Sequence, residues 1–316
     1  MSGPAPSDRL KVGVVQMRMV RDPAANMARA ATLMSEAVGE GAKLVCLPEL
    51  FSWRYFCQTE DASNFSLAEP VPGPTTQALE ALALELEATV ITSVFECRTP
   101  GIYHNTAVVI DGKRGYLGKY RKMHIPDEPG YCEKFYFTPG DLGFKSFSTA
   151  VGECGVMVCW DQWYPEAARL TALNGAQILI YPTAIGWHPQ EKETLGARQH
   201  EAWELVQRGH AIVNGCFVIA ANRVGFEEHP GESTGIEFWG QSFVSAPDGR
   251  VLDRASAAEE GILTVELNLT ELVESRVSWP FLRDRRIDAY GDLTKRFIDQ
   301  ESGEAVTDGF SSISGT

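Results

Sequence analysis

Short apolar runs alternate along the chain with stretches in which apolar residues recur at helical spacing. Runs of about four to eight apolar residues are typical of buried strands, whereas recurrence every three or four residues indicates an amphipathic helix. The apolar runs predict strands over residues 10–19, 43–47, 88–95, 106–110, 116–120, 144–147, 155–158, 177–181, 217–221, 241–246 and 262–267. The helical spacing predicts helices after Asp22, after Pro74, over 164–173 and over 195–213. This alternation predicts mixed sheets with helices on their outer faces.

Turn and capping signals mark the ends of several of these elements. Asp22-Pro23 combines an N-cap side chain with proline at the first helical position, which favours a helix start. Asp111-Gly112 lies between two predicted strands and indicates a hairpin turn. Because no linker interrupts the pattern, we predict three segments: a flexible N-terminus (1–8), a single domain (9–300) and a flexible tail (301–316).

The composition is typical of a globular protein in water. Of the 316 residues, 44% are hydrophobic and 22% are charged. No stretch approaches the roughly 20 apolar residues that cross a bilayer, so we expect no membrane partner. The first residues, MSGPAPSDRLKVGVVQM, lack the basic region and apolar core of a secretory signal, and we therefore expect a cytoplasmic protein.

Charge and cysteine content exclude several classes of ligand. The net charge of −14 would repel a phosphate backbone, so we expect no nucleic-acid partner. The acidity favours neutral or cationic small substrates, although it also fits a surface that only keeps the protein soluble. The cysteine number, seven, is odd and no CxxC pair occurs, so we expect neither a disulfide framework nor a metal site.

One predicted strand ends at a thiol. The apolar residues Val156-Met157-Val158 are followed by Cys159, and Pro165 then marks the expected start of a helix. Backbone N–H groups at a helix start carry partial positive charge, which favours a thiolate and can bind an oxyanion. A buried cysteine at a strand end is also a common structural residue. Cys159 is therefore a candidate nucleophile that still needs chemical partners.

Charged residues follow two other predicted strands. Glu49 comes directly after one apolar run, Lys122 comes after another, and Glu133 lies in the aromatic-rich loop beyond it. Taken alone, Glu49 and Lys122 each fit a solvated surface position as well as a site. A thiol nucleophile needs a base and a group that stabilises negative charge, and these residue types can supply both.

Three motifs together resemble those of a known superfamily. The strings LPEL, YRKMHIP and CWDQWYPEAAR are similar to the glutamate, lysine and cysteine motifs of the nitrilase, or carbon–nitrogen hydrolase, superfamily. The similarity extends over about residues 10–290. It implies an α/β fold, a four-layer αββα sandwich, whose subunits pair into a homodimer or a larger even-numbered homo-oligomer. It also implies that no metal or organic cofactor is required.

The resemblance assigns a role to each candidate residue. Glu49 would act as the general base, Cys159 as the nucleophile, and Lys122 as the cation that stabilises the oxyanion with help from the backbone N–H of Trp160. Glu133 would orient the substrate and the lysine. A nearby ammonium is expected to lower the pKa of the thiol. The resemblance thus implies covalent hydrolysis of an amide through a thiol-acyl intermediate.

Longer strings are similar to one branch of the superfamily, the N-carbamoylputrescine amidases. They include RKMHIPDEPGYCEKFYFTPGD and YPTAIG. This similarity implies hydrolysis of N-carbamoylputrescine to putrescine, carbon dioxide and ammonia. It also implies a substrate pocket formed by residues scattered over several loops: Tyr55, Cys57, Tyr131, Trp160, Ala184, Trp187 and His188.

Two departures from that branch leave the substrate open. The plant-type pattern has small residues where this chain has Trp53 and Arg54, and it has Ser-Glu-Pro where this chain has Trp187-His188-Pro189. A histidine and an arginine suit a carboxylate or a neutral tail better than an ammonium. An N-carbamoyl amino acid or ureido acid is therefore the alternative substrate, followed by a simple aliphatic amide or a nitrile. A binding module without catalysis is the alternative from a different class.

The C-terminal part of the predicted domain contains a candidate interface segment. Trp279, Pro280, Phe281 and Leu282 form an apolar cluster just before a basic run. The cluster fits packing within the chain as well as packing between chains. The family resemblance favours an interface, with self-association through the helices predicted over 164–173 and 195–213.

Overall fold

The structure is a computed structural model that describes residues 8–231 and 234–299. The predicted flexible segments, 1–8 and 301–316, lie outside the described residues except for Asp8. In chain order the described strands are β1 Arg9–Gln16, β2 Leu44–Cys46, β3 Thr89–Thr99, β4 Ile102–Asp111, β5 Gly115–Arg121, β6 Ser146–Thr149, β7 Gly152–Val156, β8 Ile178–Thr183, β9 Gly186–Trp187, β10 Phe217–Asn222, β11 Val224–Glu228, β12 Gly235–Trp239, β13 Phe243–Ser245, β14 Val251–Arg254 and β15 Gly261–Asn268. The described α-helices are α1 Pro23–Gly39, α2 Pro74–Leu86, α3 Glu133–Tyr136, α4 Pro165–Leu173, α5 Lys192–Asn214 and α6 Thr270–Ser278.

The strands form two large mixed sheets and one small sheet. Within the described residues, the first sheet has the spatial order β15-β1-β2-β3-β4-β5, and the second has the order β14-β13-β10-β8-β7-β6. The central pairs β1–β2, β2–β3, β7–β8 and β8–β10 are parallel, and the outer pairs are antiparallel. The carboxyl ends of β2, β7 and β8 are therefore available to carry functional loops.

The layers are those of an αββα sandwich, as predicted. Helices α1 and α2 pack on the first sheet, and α4 and α5 pack on the second. The two sheets face each other through one apolar core to which alternate residues of β1 contribute: Leu10, Val12 and Val14. The intervening Gly13 faces α1, where a Cβ atom would lie 2.8 Å from the Cβ of Ala37. Because side chains alternate along β1, one face of the strand packs against α1 and the other face packs against the opposite sheet.

Most predicted elements are confirmed, but the local structure before the thiol is different. The strand predicted over 155–158 is β7, which ends at Val156, so Cys159 lies three residues beyond the sheet. A short 3-10 turn, Cys159–Trp163, separates the cysteine from α4, which begins at Pro165 as predicted. The N-terminus of α4 is therefore not the immediate neighbour of the thiol that the sequence suggested.

Several elements were not predicted. Helices α3 and α6 have few apolar residues at helical spacing, and the three-stranded sheet β11-β12-β9 is made of short strands. The strand predicted over 10–19 ends at Gln16, although Met17 and Met19 remain buried. In the part of the chain that the structure describes, no helix combines the length and the apolarity that a bilayer crossing demands.

Candidate active site

The candidate residues are brought together by loops at neighbouring strand ends. Glu49 follows β2 by three residues, and Lys122 directly follows β5. Glu133 is the first residue of α3, and Cys159 follows β7. All four side chains are buried, although the sequence pattern also fitted solvated positions for Glu49 and Lys122.

Lys122 connects the two glutamates. Its Nζ donates to Glu49 Oε1 at 2.9 Å and to Glu133 Oε2 at 2.6 Å, and all three side chains are inaccessible to solvent. Burial alone would lower the pKa of the ammonium, but the adjacent Glu133 and Glu49 carboxylates raise it well above its ordinary value. Lys122 is therefore held as a fixed cation inside the protein.

The two oxygens of Glu49 have different environments. Oε1 accepts hydrogen bonds from Lys122 and, at 2.6 Å, from Nδ2 of Asn105. Oε2 is buried and makes no hydrogen bond within the described residues. One oxygen is thus anchored while the other keeps its lone pairs available to accept a proton. Asn105, on β4, was not predicted to belong to the site.

Glu133 is held at both carboxylate oxygens. Oε2 accepts from Lys122, and Oε1 accepts from the hydroxyl of Tyr55 at 2.6 Å. Burial raises the pKa of Glu133 to about 7, with Lys122 opposing the rise and Glu49 adding to it. The Tyr55 hydroxyl remains a donor, because burial and the Glu133 charge raise its own pKa well above the ordinary value.

Cys159 lies beside this charged cluster in a strained turn. Its backbone φ is 44°, in the left-handed region that residues with a side chain rarely adopt. Burial, followed by the charge of Glu49, raises the pKa of the thiol well above its ordinary value, although Lys122 lowers it. The predicted effect of the ammonium on the thiol pKa is present, but burial and Glu49 outweigh it, so the pKa is raised overall. The resting sulfur is a thiol that needs a base when it reacts.

Asp161 organises the turn that carries Cys159. Its Oδ2 accepts from the backbone N–H of Val158 at 3.0 Å and from the hydroxyl of Tyr120 at 2.8 Å. Its Oδ1 lies 2.7 Å from Nδ1 of His124. The carboxylate thus connects the residue before the cysteine to the side chains of Tyr120 and His124. Its place in the CWDQWYPEAAR string was the sequence signal that could have identified it.

A cavity of about 530 Å³ opens onto the sulfur. Four of the predicted substrate contacts line it: Tyr131, Trp160, Ala184 and His188. Two others do not. Tyr55 is buried, and its hydroxyl donates a hydrogen bond to Glu133. The Trp187 ring packs against Trp239, and its Nε1 donates to the carbonyl of Gly196 at 3.0 Å. The expectation that Tyr55 and Trp187 contact the substrate is therefore corrected. Tyr55 supports Glu133 and Trp187 supports Trp239, and these two supported residues line the cavity.

The charged side chains that line the cavity are acidic. They belong to Glu128, Glu133 and Glu191, and Oε2 of Glu191 accepts from Nε2 of Gln199 at 2.9 Å. No lysine or arginine is among the cavity-lining residues of the described chain. Arg54 is directed elsewhere, with its Nε 3.8 Å from Glu227. Of the two departures that favoured an acidic substrate, only His188 is at the cavity.

Comparison with known proteins extends these observations. The model of the family described as carbon-nitrogen hydrolase matches residues 11–277. The chain is 43% identical to N-carbamoylputrescine amidase of Oryza sativa subsp. japonica, over 91% of this chain and 95% of the relative. It is 36% identical to a citrullinase of Francisella tularensis, over 91% and 99% of the two chains.

A solved structure agrees with the fold. The carbon-nitrogen hydrolase of Helicobacter pylori G27 superposes with a TM-score of 0.89 at 48% sequence identity, covering 92% of this chain and all (100%) of that one. The resemblance of the three motifs is thereby confirmed over nearly the whole described chain. The chain belongs to the carbon-nitrogen hydrolase family and is a hydrolase of carbon–nitrogen bonds in linear amides.

Proposed function

We propose that the enzyme hydrolyses N-carbamoylputrescine with Cys159 as nucleophile, Glu49 as general base, Lys122 as oxyanion cation and Glu133 as the residue that orients Lys122. The observation that carries this proposal is the buried Glu49–Lys122–Glu133 cluster, whose member Glu133 lines the same cavity as Cys159. The four groups supply the base, the charge stabilisation and the nucleophile that thiol-dependent amide hydrolysis requires.

In the first half of the reaction the thiol attacks the carbamoyl carbon. The free Oε2 of Glu49 takes the thiol proton as the C–S bond forms, which overcomes the raised pKa of Cys159. The carbonyl oxygen becomes an oxyanion beside the Lys122 ammonium and the backbone N–H of Trp160. Glu49 then returns the proton to the terminal nitrogen, the C–N bond breaks, and ammonia leaves a thiocarbamate on the sulfur.

In the second half water releases the product. Glu49 takes a proton from water, and the hydroxide attacks the thiocarbamate carbon through the same oxyanion arrangement. The C–S bond breaks, Glu49 returns the proton to the sulfur, and an N-carboxy amine departs. That carbamate loses carbon dioxide and gives the free amine. Because one carboxylate serves both halves, neither step requires another proton carrier.

The acidic cavity supports an amine at the far end of the substrate. Glu128 and Glu191 line the cavity without belonging to the cluster, and a distal ammonium would find a carboxylate there without an opposing lysine or arginine. The 43% identity to a plant N-carbamoylputrescine amidase supports the same substrate.

A ureido acid is the second candidate. His188 lines the cavity, and one relative, at 36% identity, is a citrullinase. A protonated imidazole would suit a distal carboxylate. The two candidates carry different charges at the far end of the substrate, which makes them separable by kinetics.

Ammonia release from paired substrates tests the proposal. We expect kcat/KM for N-carbamoylputrescine to exceed that for N-carbamoyl-β-alanine by more than about tenfold, or ~1.4 kcal/mol in transition-state binding. Substitution Glu191→Gln should reduce kcat/KM for N-carbamoylputrescine by about fivefold, since an accessible ion pair contributes up to about 1 kcal/mol. The kcat/KM for N-butylurea, which has no distal charge, should be the same in this variant as in the wild type.

Glu193→Gln is the matched control, because Glu193 is an exposed glutamate in the first turn of α5, the helix that Glu191 precedes, and it does not line the cavity. This variant should have the wild-type kcat/KM for all three substrates. A tenfold preference for N-carbamoyl-β-alanine would replace the amine with an acid as the proposed substrate.

We also propose that the enzyme self-associates. Apolar side chains remain exposed on α4 (Leu170, Leu173), on α5 (Leu205, Val213) and in the C-terminal segment (Trp279, Phe281). These are the surfaces for which the family resemblance predicts contact between subunits, and their exposure supports a homodimer or a larger even-numbered assembly.

A further inference from the structure

We propose that the buried ion pair between Arg223 and Glu227 is a positioning device that sets both active-site glutamates, Glu49 and Glu133. This inference rests on the proposed function, because it gives the pair no contact with substrate and makes it act through residues that hold the reacting groups. Arg223 directly follows β10, and Glu227 lies on β11. Neither is among the described residues that line the cavity.

One branch of the device connects Arg223 to the turn of Glu49. The guanidinium is fully buried, and its Nη2 donates to the carbonyl of Glu49 at 2.7 Å and to that of Leu50 at 3.3 Å. Leu50 has a φ of 50°, in the left-handed region that is strained for a branched side chain. Such a backbone persists only where surrounding contacts hold it, and Arg223 supplies two of them.

The other branch connects Glu227 to Glu133 through Tyr55. Glu227 Oε1 accepts from Nη1 of Arg223 at 2.8 Å, and its Oε2 accepts from the backbone N–H of Tyr55 at 2.6 Å. The Tyr55 hydroxyl donates to Glu133, and the Arg223 guanidinium lies 5.6 Å from the centre of the Tyr55 ring. The ion pair therefore fixes the backbone and the ring of the tyrosine that orients Glu133.

The chemistry of arginine explains why this position needs a guanidinium. Its planar fork donates to three carbonyls, those of Glu49, Leu50 and Trp53, and to one carboxylate in fixed directions, which the single ammonium of a lysine cannot do. A buried ion pair is weak evidence for stability, since apolar residues of similar size often replace it without loss. The pair at Arg223 and Glu227 is thus better explained by the geometry it imposes on the site.

The double substitution Arg223→Met with Glu227→Met tests the device. It removes both buried charges together, so neither is left unpaired and the protein should fold. We expect kcat for N-carbamoylputrescine to fall at least about 50-fold, because small displacements of catalytic groups are costly. KM should stay within about threefold of the wild-type value. The rate of Cys159 alkylation by iodoacetamide, followed by peptide mass mapping, should fall by a similar factor.

Two further variants complete the test. Arg276→Met is the matched control, because Arg276, like Arg223, donates to backbone carbonyls, those of Gly215 at 3.0 Å and Ala176 at 2.8 Å, but neither carbonyl belongs to the turn of Glu49. It should keep wild-type kcat. Arg223→Lys retains a positive charge beside Glu227, and its kcat should be about tenfold lower than that of the wild type. This variant tests the positioning role if the double variant does not fold.

The outcomes separate this inference from the proposed function. A folded double variant, or Arg223→Lys, with kcat and alkylation rate within about threefold of wild type would overturn the positioning role. An equal loss in Arg276→Met would also overturn it. If the wild-type enzyme releases no ammonia from N-carbamoylputrescine, the proposed substrate fails, whereas the alkylation rates, which need no substrate, still test the ion pair.

Discussion

Cys159→Ala should abolish ammonia release, with kcat reduced at least about 10⁴-fold, because the variant has no atom that can form the thiocarbamate. The folded state should survive, since loss of one buried sulfur costs about 1 kcal/mol. Ammonia assays on N-carbamoylputrescine, together with thermal unfolding, measure both effects. The prediction concerns the chemistry at one atom and leaves the cavity intact.

Cys154→Ala provides the matched control for that variant. Cys154 is as deeply buried as Cys159, but it lies on β7 and does not line the cavity. It should lose a similar amount of stability and retain turnover. Activity that persists in Cys159→Ala would remove the thiol from the mechanism, and an inactive Cys154→Ala would point to a general packing effect.

Glu49→Gln should lower kcat by about 10³-fold, within the range by which general acid–base catalysis accelerates reactions. The amide oxygen can still accept from Asn105 and Lys122 in place of Oε1, but the amide nitrogen that replaces Oε2 cannot accept the thiol proton. Lys122 keeps Glu133 as a counter-ion, so the buried ammonium is not left unpaired. Single-turnover kinetics should place the loss in the chemical step rather than in binding.

Glu204→Gln is the corresponding control for a buried carboxylate. Glu204 lies on α5 and pairs with Arg208 and Arg254 outside the cavity. Its substitution should lower the free energy of unfolding and should have little effect on kcat. If Glu49→Gln retains wild-type kcat while it remains folded, another group must take the thiol proton.

The position of the candidate site was predictable because it lies at strand ends. Glu49, Lys122 and Cys159 each follow an apolar run, and the loops after β2, β5 and β7 meet at one site, although these strands are not adjacent in a sheet. The strength of the prediction came from three motifs in one order, since each residue alone also fitted a surface or structural position. The burial of Lys122 could not be inferred from a basic pair, because burial depends on the two distant carboxylates that accept from it.

The supporting residues could not be assigned in advance because their partners are far away in sequence. Asn105 and Glu49 are 56 positions apart, and Arg223 reaches carbonyls more than 170 positions earlier. A polar side chain inside an apolar strand must find a hydrogen-bond partner, so Asn105 on β4 carried a usable signal. The sequence does not say which partner it finds.

The net direction of the thiol pKa could not be predicted for a similar reason. A lysine beside a cysteine lowers its pKa in water, but here burial and Glu49 outweigh Lys122. Depth of burial is a property of the assembled sandwich. The consequence concerns the proposed mechanism, because a neutral thiol requires a base at the moment of attack, which is the role proposed for Glu49.

The most direct test of the site is a structure of the Cys159→Ala variant with intact N-carbamoylputrescine. We expect the carbamoyl carbon next to residue 159, its oxygen about 3 Å from Lys122 Nζ and the backbone nitrogen of Trp160, and the free amine toward Glu191. A carbamoyl group bound away from residue 159, or an oxygen that faces away from Lys122, would contradict the proposed arrangement of nucleophile and cation.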